Sequence, residues 1–403
     1  MTPEITGAGE GIIGRLVVAV GRRLMPKHLE GSLALTLPSG RVIQLGTPGT
    51  GIDADLQLKN WRPVFSSITR ASVGFSESYL DNHWTSSDPA QLIRFYLQNR
   101  KPLDQAGEPV FFLNLMDRLW HLRRDNSKAG SRRNIAEHYD LGNAFYEEWL
   151  DPSMTYSSGY YKTGTTALED SQTDKYRLVL DALELEQGHN VLEIGCGWGG
   201  FAEAVGHAGA RVRGITLSEE QLAYSKNRLR TAGLAEDCQV HLEDYRDTKG
   251  VFDRIASIEM VEAVGEAHWP AYFKTLRDRL KPGGIAVIQA ITIAPENYEA
   301  SRSQADFIQR YVFPGGMLPT GAIMRREAEA QGLSFEEHKT FGHSYAQTLR
   351  EWRKRFEAKW PEIAKLGFDA RFRRLWRYYL AYCEAGFEEQ AINVGVYRMR
   401  KPA

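Results

Sequence analysis

Between residues 190 and 292 short apolar runs alternate with helical patterns, and no other feature constrains the fold as strongly. Asn190-Val-Leu-Glu-Ile194, Ala210–Ile215, Gln239–Leu242, Phe252–Ile258 and Gly284–Thr292 have the length and composition of strands. Gly199–His207, Glu219–Thr231 and His268–Leu280 carry the helical period between them. Strand–helix–strand connections are right-handed, so the pattern predicts an α/β fold, a Rossmann-like and mostly parallel sheet with helices on both faces. Ligands of such sheets bind outside the carboxyl ends of the strands, at the switch in strand order.

Three strand ends describe a cofactor site. Val191-Leu-Glu-Ile-Gly-Cys-Gly-Trp-Gly-Gly200 is a strand, an acid (Glu193) and glycines opening a helix. Gly195, Gly197 and Gly199 let the backbone approach a ligand where side chains would clash. Their order is not the pyrophosphate-binding GxGxxG, and a carboxylate beside the loop disfavours phosphate. It favours a cation, such as the amino group and sulfonium of S-adenosylmethionine (SAM). The next strand ends in Ile215-Thr216-Leu217-Ser218-Glu-Glu-Gln221, without the isolated acid that holds an NAD ribose. The third ends in His241-Leu-Glu-Asp-Tyr-Arg246, where Asp244 is placed to accept from an adenine amino group. A fourth end, Ile255-Ala-Ser-Ile-Glu-Met-Val-Glu-Ala-Val-Gly265, presents two acids three apart, Glu259 and Glu262.

With 403 residues the chain has room for two domains. Short alternating runs, Ser32-Leu-Ala-Leu-Thr-Leu37 and Arg41-Val-Ile-Gln-Leu45, flank the turn Pro38-Ser-Gly40, and helical patterns follow near Phe75–Leu80, Ala90–Gln98 and Phe111–Arg123. The polar, basic stretch His121–Asn134 reads as a linker. The expected division is an α+β N-terminal domain over 1–125, a candidate for lipid contact, and a catalytic domain over 126–403. Ile12, Ile13, Leu16, Val17 and Val20 share one helical face, in a run too short to span a bilayer. Arg22, Arg23 and the basic linker could meet lipid phosphates. A net charge of −1 gives no global pull toward nucleic acid. Cys196, Cys238 and Cys383 form no CxxC pair, which argues against disulfides and a zinc site, and for a cytoplasmic protein.

From about Gly31 to its end the chain resembles the cyclopropane-fatty-acyl-phospholipid synthases, within the class I SAM-dependent methyltransferases. Ala136-Glu-His-Tyr-Asp-Leu-Gly-Asn143, Leu150-Asp-Pro-Ser-Met-Thr-Tyr-Ser-Ser158, Gly195-Cys-Gly-Trp-Gly-Gly200, Gln309-Arg-Tyr-Val-Phe-Pro-Gly-Gly316 and Trp360-Pro-Glu-Ile363 carry the resemblance. It implies SAM contacts at Tyr156, Ser157, Gly195, Gly197, Trp198, Thr216, Leu217, Gln221, Tyr245 and Arg246. Trp198 and Tyr156 suit a sulfonium through cation–π attraction. The implied reaction moves a methyl group onto a cis double bond of a phospholipid acyl chain, giving a cyclopropane, or a methylene or methyl-branched product. The implied place of work is the inner membrane face, with homodimerisation left open.

In better-known members of that family the base is a bicarbonate held by Cys, Glu, His and Tyr side chains and a backbone group. Here the Glu falls on Glu262, the Tyr on Tyr345 and the backbone group near Ile291. The Cys position is Ser158 and the His position is Gln289, which puts bicarbonate in question. Glu259 stands where those members usually have Gly; it would serve as a fixed base or pair with an arginine. Cys383 matches a cysteine considered as a nucleophile in the family, although its apolar neighbours favour an inert thiol. The aromatic-rich region Trp352–Phe387 suits core packing or an acyl slot. A small-molecule methyltransferase and a lipid-binding protein without catalysis are the competing functions.

Overall fold

The computed structural model describes residues 5–6, 14–15, 19, 26, 28–106, 141–303 and 306–403. The helical face Ile12–Val20, Arg22 and Arg23, the helix Phe111–Arg123, the linker His121–Asn134 and the boundary at residue 125 lie mostly or wholly outside them. Two compact units are present, Met1–Asp117 with Gly367–Ala391, and Arg118–Leu366 with Ile392–Ala403.

In the first unit a five-stranded sheet runs in the order β1-β3-β2-β4-β5. Its strands are β1 (Ile5–Thr6), β2 (Ser32–Thr36), β3 (Val42–Gly46), β4 (Asp53–Leu58) and β5 (Trp84–Thr85). Helices Arg62–Leu80, Pro89–Gln98 and Arg100–Ala106 accompany it. Asp88 caps the second of these by accepting from the Ala90 N–H, and Pro89 at its first turn needs no donor. The C-terminal helix Ala370–Glu388, expected in the catalytic domain, belongs to this unit. Arg374 Nε donates to the Leu80 carbonyl at 2.7 Å, Arg94 pairs with Glu389 at 2.7 Å, and the rings of Tyr79 and Tyr378 lie 5.4 Å apart.

The second unit is built on a seven-stranded sheet of order β11-β12-β10-β9-β6-β7-β8. The members are β6 (Asn190–Ile194), β7 (Arg211–Thr216), β8 (Cys238–Leu242), β9 (Phe252–Ile258), β10 (Leu280–Ile293), β11 (Ser334–Thr340) and β12 (Ile392–Arg400). Strands β8, β7, β6, β9 and β10 are parallel, as the alternation requires, while β12 runs antiparallel to both β10 and β11. β11 was not anticipated. Its sequence, Ser334-Phe-Glu-Glu-His-Lys-Thr340, is mostly polar, and it forms the exposed edge of the sheet.

Strand β10 shows why the sheet is buried on both faces. Ile285, Ala286, Val287, Ile288 and Ala290 are all 0% exposed, the continuous apolar run of a covered parallel strand. Gln289 interrupts that run and is itself 0% exposed, so its amide must find a polar partner inside the protein. Strand β9 supplies it.

Candidate active site

Strands β6 and β9 are neighbours although β7 and β8 intervene in the chain, so their carboxyl ends flank the switch in strand order. Glu193, at the end of β6, is 3% exposed, and its Oε2 has no partner among the described residues. Burial pushes its carboxyl up to about 8, against the opposing charges of Lys175 and Arg228. Gly195 and Gly197 have φ of +80° and +51°, the left-handed region that glycine enters without strain. A Cβ on Gly197 would meet nothing within 4 Å, so space lies open beside the loop. The orphaned oxygen of Glu193, two residues before the loop in the chain, fits a cationic amino group, as SAM carries.

The remaining cofactor candidates have their own partners. Gly199, at φ +82°, caps the helix Gly200–His207. The Thr216 hydroxyl donates to Gln221 Oε1 at 2.9 Å, and Leu217 lies next in the chain at the turn after β7. Asp244 is 3% exposed and receives Arg246 on both oxygens, at 2.8 and 2.7 Å, so an adenine amino group would share an acceptor already in use. The Arg246 guanidinium lies 5.3 Å from the Tyr245 ring centre. Tyr156 packs against Tyr146, Trp149 and Trp352 at centroid distances of 5.4, 5.7 and 5.3 Å, and Tyr146 also meets Trp198 at 5.0 Å. The Trp198 indole N–H donates to Asn143 Oδ1 at 2.7 Å, giving the conspicuous Asn143 a function its motif did not disclose.

At the end of β9 the two acids have different surroundings. Glu259 is the first residue after the strand and has φ +50°. This conformation costs a non-glycine residue about 1–2 kcal/mol and persists only where neighbours over-determine it. Here they do. Its N–H donates to the Gln289 carbonyl at 2.8 Å. Its Oε1 accepts from the Ser158 N–H at 2.8 Å and from Gln289 Nε2 at 2.7 Å, and its Oε2 accepts from the Tyr345 hydroxyl at 2.7 Å. No arginine is among these partners, so the alternative of an arginine pair is set aside. Desolvation pushes the carboxyl above its usual range, against the lowering effect of Tyr345, Ser158, Lys175 and Gln289.

Glu262 sits on the 3-10 turn Val261–Ala263. Its Oε1 accepts from the Ile291 N–H at 2.5 Å, while Oε2 has no partner among the described residues. Desolvation first, and Glu259 second, push its carboxyl up to about 8. A carboxyl raised on folding stabilises the fold fully below its unfolded value, and the contribution is lost as pH rises through the folded value. Thermal scans should therefore show the wild-type midpoint falling as pH climbs from the ordinary carboxylate range through about 8. Glu262→Gln, which never ionises, should show a smaller fall.

Three of the expected bicarbonate holders, Ser158, Gln289 and Tyr345, converge on Glu259, while Glu262 and the Ile291 N–H bond each other. Ser158 takes part through its main-chain N–H, because its hydroxyl donates to the Gly159 carbonyl at 2.8 Å. The donors of Ser158, Gln289 and Tyr345 are all directed at the Glu259 carboxylate, which already fills the place they would offer a second anion, and the unpartnered Gln289 Oε1 nearby is an acceptor. These residues do not fit bicarbonate. Cys383 is half-buried on the helix Ala370–Glu388 and belongs to the first unit, whereas the glutamates belong to the second.

Lys175 and Gln172 escaped the sequence reading. Leu168, Ser171, Gln172, Asp174, Lys175, Val179 and Ala182 are the buried residues of the helix Leu168–Ala182, and a lysine among them was the available signal. Lys175 Nζ donates to Ser157 Oγ at 2.7 Å, and Gln172 Nε2 donates to the Ser157 carbonyl at 2.9 Å.

Residues 126–397 match the family model described as mycolic acid cyclopropane synthetase. The chain is 37% identical over 341 residues to the tuberculostearic acid methyltransferase UfaA1 of Mycobacterium tuberculosis, covering 80% of this chain and 77% of that protein. It is 34% identical over 352 residues to the cyclopropane-fatty-acyl-phospholipid synthase of Escherichia coli, covering 85% and 86%. The solved mycolic acid cyclopropane synthase CmaA1, complexed with SAH and CTAB, is similar with a TM-score of 0.62 and 26% identity, covering 67% of this chain and 98% of that one.

Proposed function

Because the chain belongs to the mycolic acid cyclopropane synthetase family of SAM-dependent methyltransferases, we propose that it adds a methyl-derived carbon to the cis double bond of an unsaturated phospholipid acyl chain, with Glu259 as the base. One observation carries the assignment of the base: the Glu259 carboxylate is held by the Ser158, Gln289 and Tyr345 donors. Bound SAM supplies an electrophilic methyl on a positively charged sulfur. Aromatic faces of Tyr156 and Trp198 suit that charge, and the unpartnered Glu193 oxygen suits the amino group.

Methyl attachment to one alkene carbon leaves a cation on the neighbouring carbon. Glu259 then accepts a proton from the new methyl, and the electron pair of that C–H bond closes a cyclopropane ring. A second reading, in which the proton leaves a carbon of the chain to give a methyl-branched alkene, or leaves the new methyl after a 1,2-hydride shift to give a methylene acid, is favoured by the name of the UfaA1 relative. A base fixed to the protein, and unable to migrate, makes the site of proton removal a matter of where the acyl chain lies against Glu259. Work at a membrane surface belongs to this reading, and no helix among the described residues is long and apolar enough to cross a membrane.

The test is mass spectrometry of unsaturated phospholipid vesicles after incubation with the protein and SAM. Ring and methylene products both add CH₂, so fragmentation must separate them. Lipid products are expected, at a rate unchanged by removal of dissolved bicarbonate. Methylation of free polar acceptors alone would replace this reading with a small-molecule methyltransferase, and failure to consume SAM would replace it with a catalytically silent lipid binder.

A further inference from the structure

Lys175 is 0% exposed and stands in a setting rich in acids. The charges acting on it are those of Glu259, Asp151 and Glu193, and its Nζ lies 4.6 Å from the Tyr176 ring centre. An ammonium without water needs such compensation, because an unpaired buried charge is strongly unfavourable. Its hydrogen bond goes to Ser157, not to a carboxylate. Gln172, one turn earlier on the same helix, fixes the Ser157 carbonyl at 2.9 Å. The two side chains therefore grip one residue at hydroxyl and carbonyl, and the peptide that follows it presents the Ser158 N–H to Glu259 at 2.8 Å. A peptide dipole with its carbonyl end capped and its N–H end on a carboxylate stabilises the ionised acid.

We propose that Lys175 is a positioning residue for the Glu259 base: through Ser157 it orients the Ser157–Ser158 peptide, and its charge offsets the negative charge of Glu259. The inference rests on Glu259 being the base. The groups facing Glu259 are Lys175 from the helix Leu168–Ala182, Glu262 from the 3-10 turn, and Tyr345 from the helix Gly342–Ala358, with Ser158 and Gln289 as neutral donors. Lys175 is the cation of this set. Burial pushes it down to about 8, against the raising effect of Glu259, Asp151 and Glu193.

The experiment is the pH dependence of turnover at saturating SAM on unsaturated phospholipid vesicles, for the wild type, Lys175→Met, Lys175→Gln and Glu259→Gln. Folding is checked by circular dichroism and SAM affinity by calorimetry. A carboxylate base gives an acid limb, because activity is lost when the base is protonated. Removing a nearby positive charge favours the protonated acid, so the limb should move to higher pH by about one unit in both Lys175 variants. Lys175→Gln retains a donor for Ser157 without the charge, which separates the electrostatic effect from a packing defect. Should neither Lys175 variant fold, Ser157→Ala cuts the contact without altering the helix, and the limb should move in the same direction. An unmoved limb in a folded, SAM-binding variant overturns the inference. Glu259→Gln keeps the two failures apart. If the acid limb survives in that variant, Glu259 is not the base; if it vanishes there while Lys175→Gln leaves the wild-type limb in place, only the role of Lys175 falls.

Discussion

Glu259→Gln is expected to bind SAM as the wild type does and to turn over roughly 10²-fold more slowly or worse, the scale of losing a general base. The substitution is close to isosteric. An amide oxygen can still accept from the Ser158 N–H and Gln289 Nε2, and its NH₂ can donate to the Tyr345 hydroxyl, so the surroundings need not rearrange. What disappears is the capacity to take a proton. Glu259→Gly makes the complementary statement. It relieves the left-handed backbone at φ +50° and leaves three donors around a space the size of a carboxylate. Buried donors without a partner are costly, so that space should recruit a small anion. Added bicarbonate or formate should restore part of the lost turnover to Glu259→Gly and leave the wild type unaffected. Full activity in Glu259→Gln would remove the base assignment, and stimulation of the wild type by bicarbonate would remove the claim that Glu259 fills the anion site.

The contrast between the two strand ends shows what the amino-acid sequence disclosed. The loop after β6 was legible because its requirements are local: an apolar run sets the strand, the glycines set the turn, and Glu193 is adjacent in the chain. Glu259 was visible as an acid with two open readings, a fixed base or an arginine partner. Its partners Ser158, Gln289 and Tyr345 lie 101, 30 and 86 residues away, and no periodicity reports such distances. The resemblance named residues that meet in the structure but assigned Ser158 by its side chain, whereas the backbone makes the contact. Strand β11 was missed for a different reason. An exposed edge needs no apolar alternation, so Ser334–Thr340 lacks the pattern by which strands are read. The aromatic stripe near Cys383 was correctly helical, yet a stripe does not say which partner it meets, and this one packs within the first unit.

Gly197→Val is expected to abolish SAM binding in a protein that still folds. The two halves of that expectation have separate grounds. Folding should survive because a Cβ at Gly197 meets no protein atom within 4 Å, so the core is not overpacked. The φ of +51° is unfavourable for a β-branched residue and costs about 1–2 kcal/mol, which a chain of this size can absorb. Binding should fail because, on the proposed cofactor site, the ligand approaches the backbone through the empty space beside the loop, and the branched side chain would fill it. Any relaxation of the strained loop would also move the glycine-rich turn away from Glu193. Gly197→Ala is the graded control: it carries similar backbone strain with less bulk, and should weaken binding less than valine does. Calorimetry with SAM, alongside a thermal scan, separates these effects. A folded Gly197→Val protein with wild-type SAM affinity would mean that the cofactor does not use this loop, and the placement of the reacting methyl near Glu259 would fall with it.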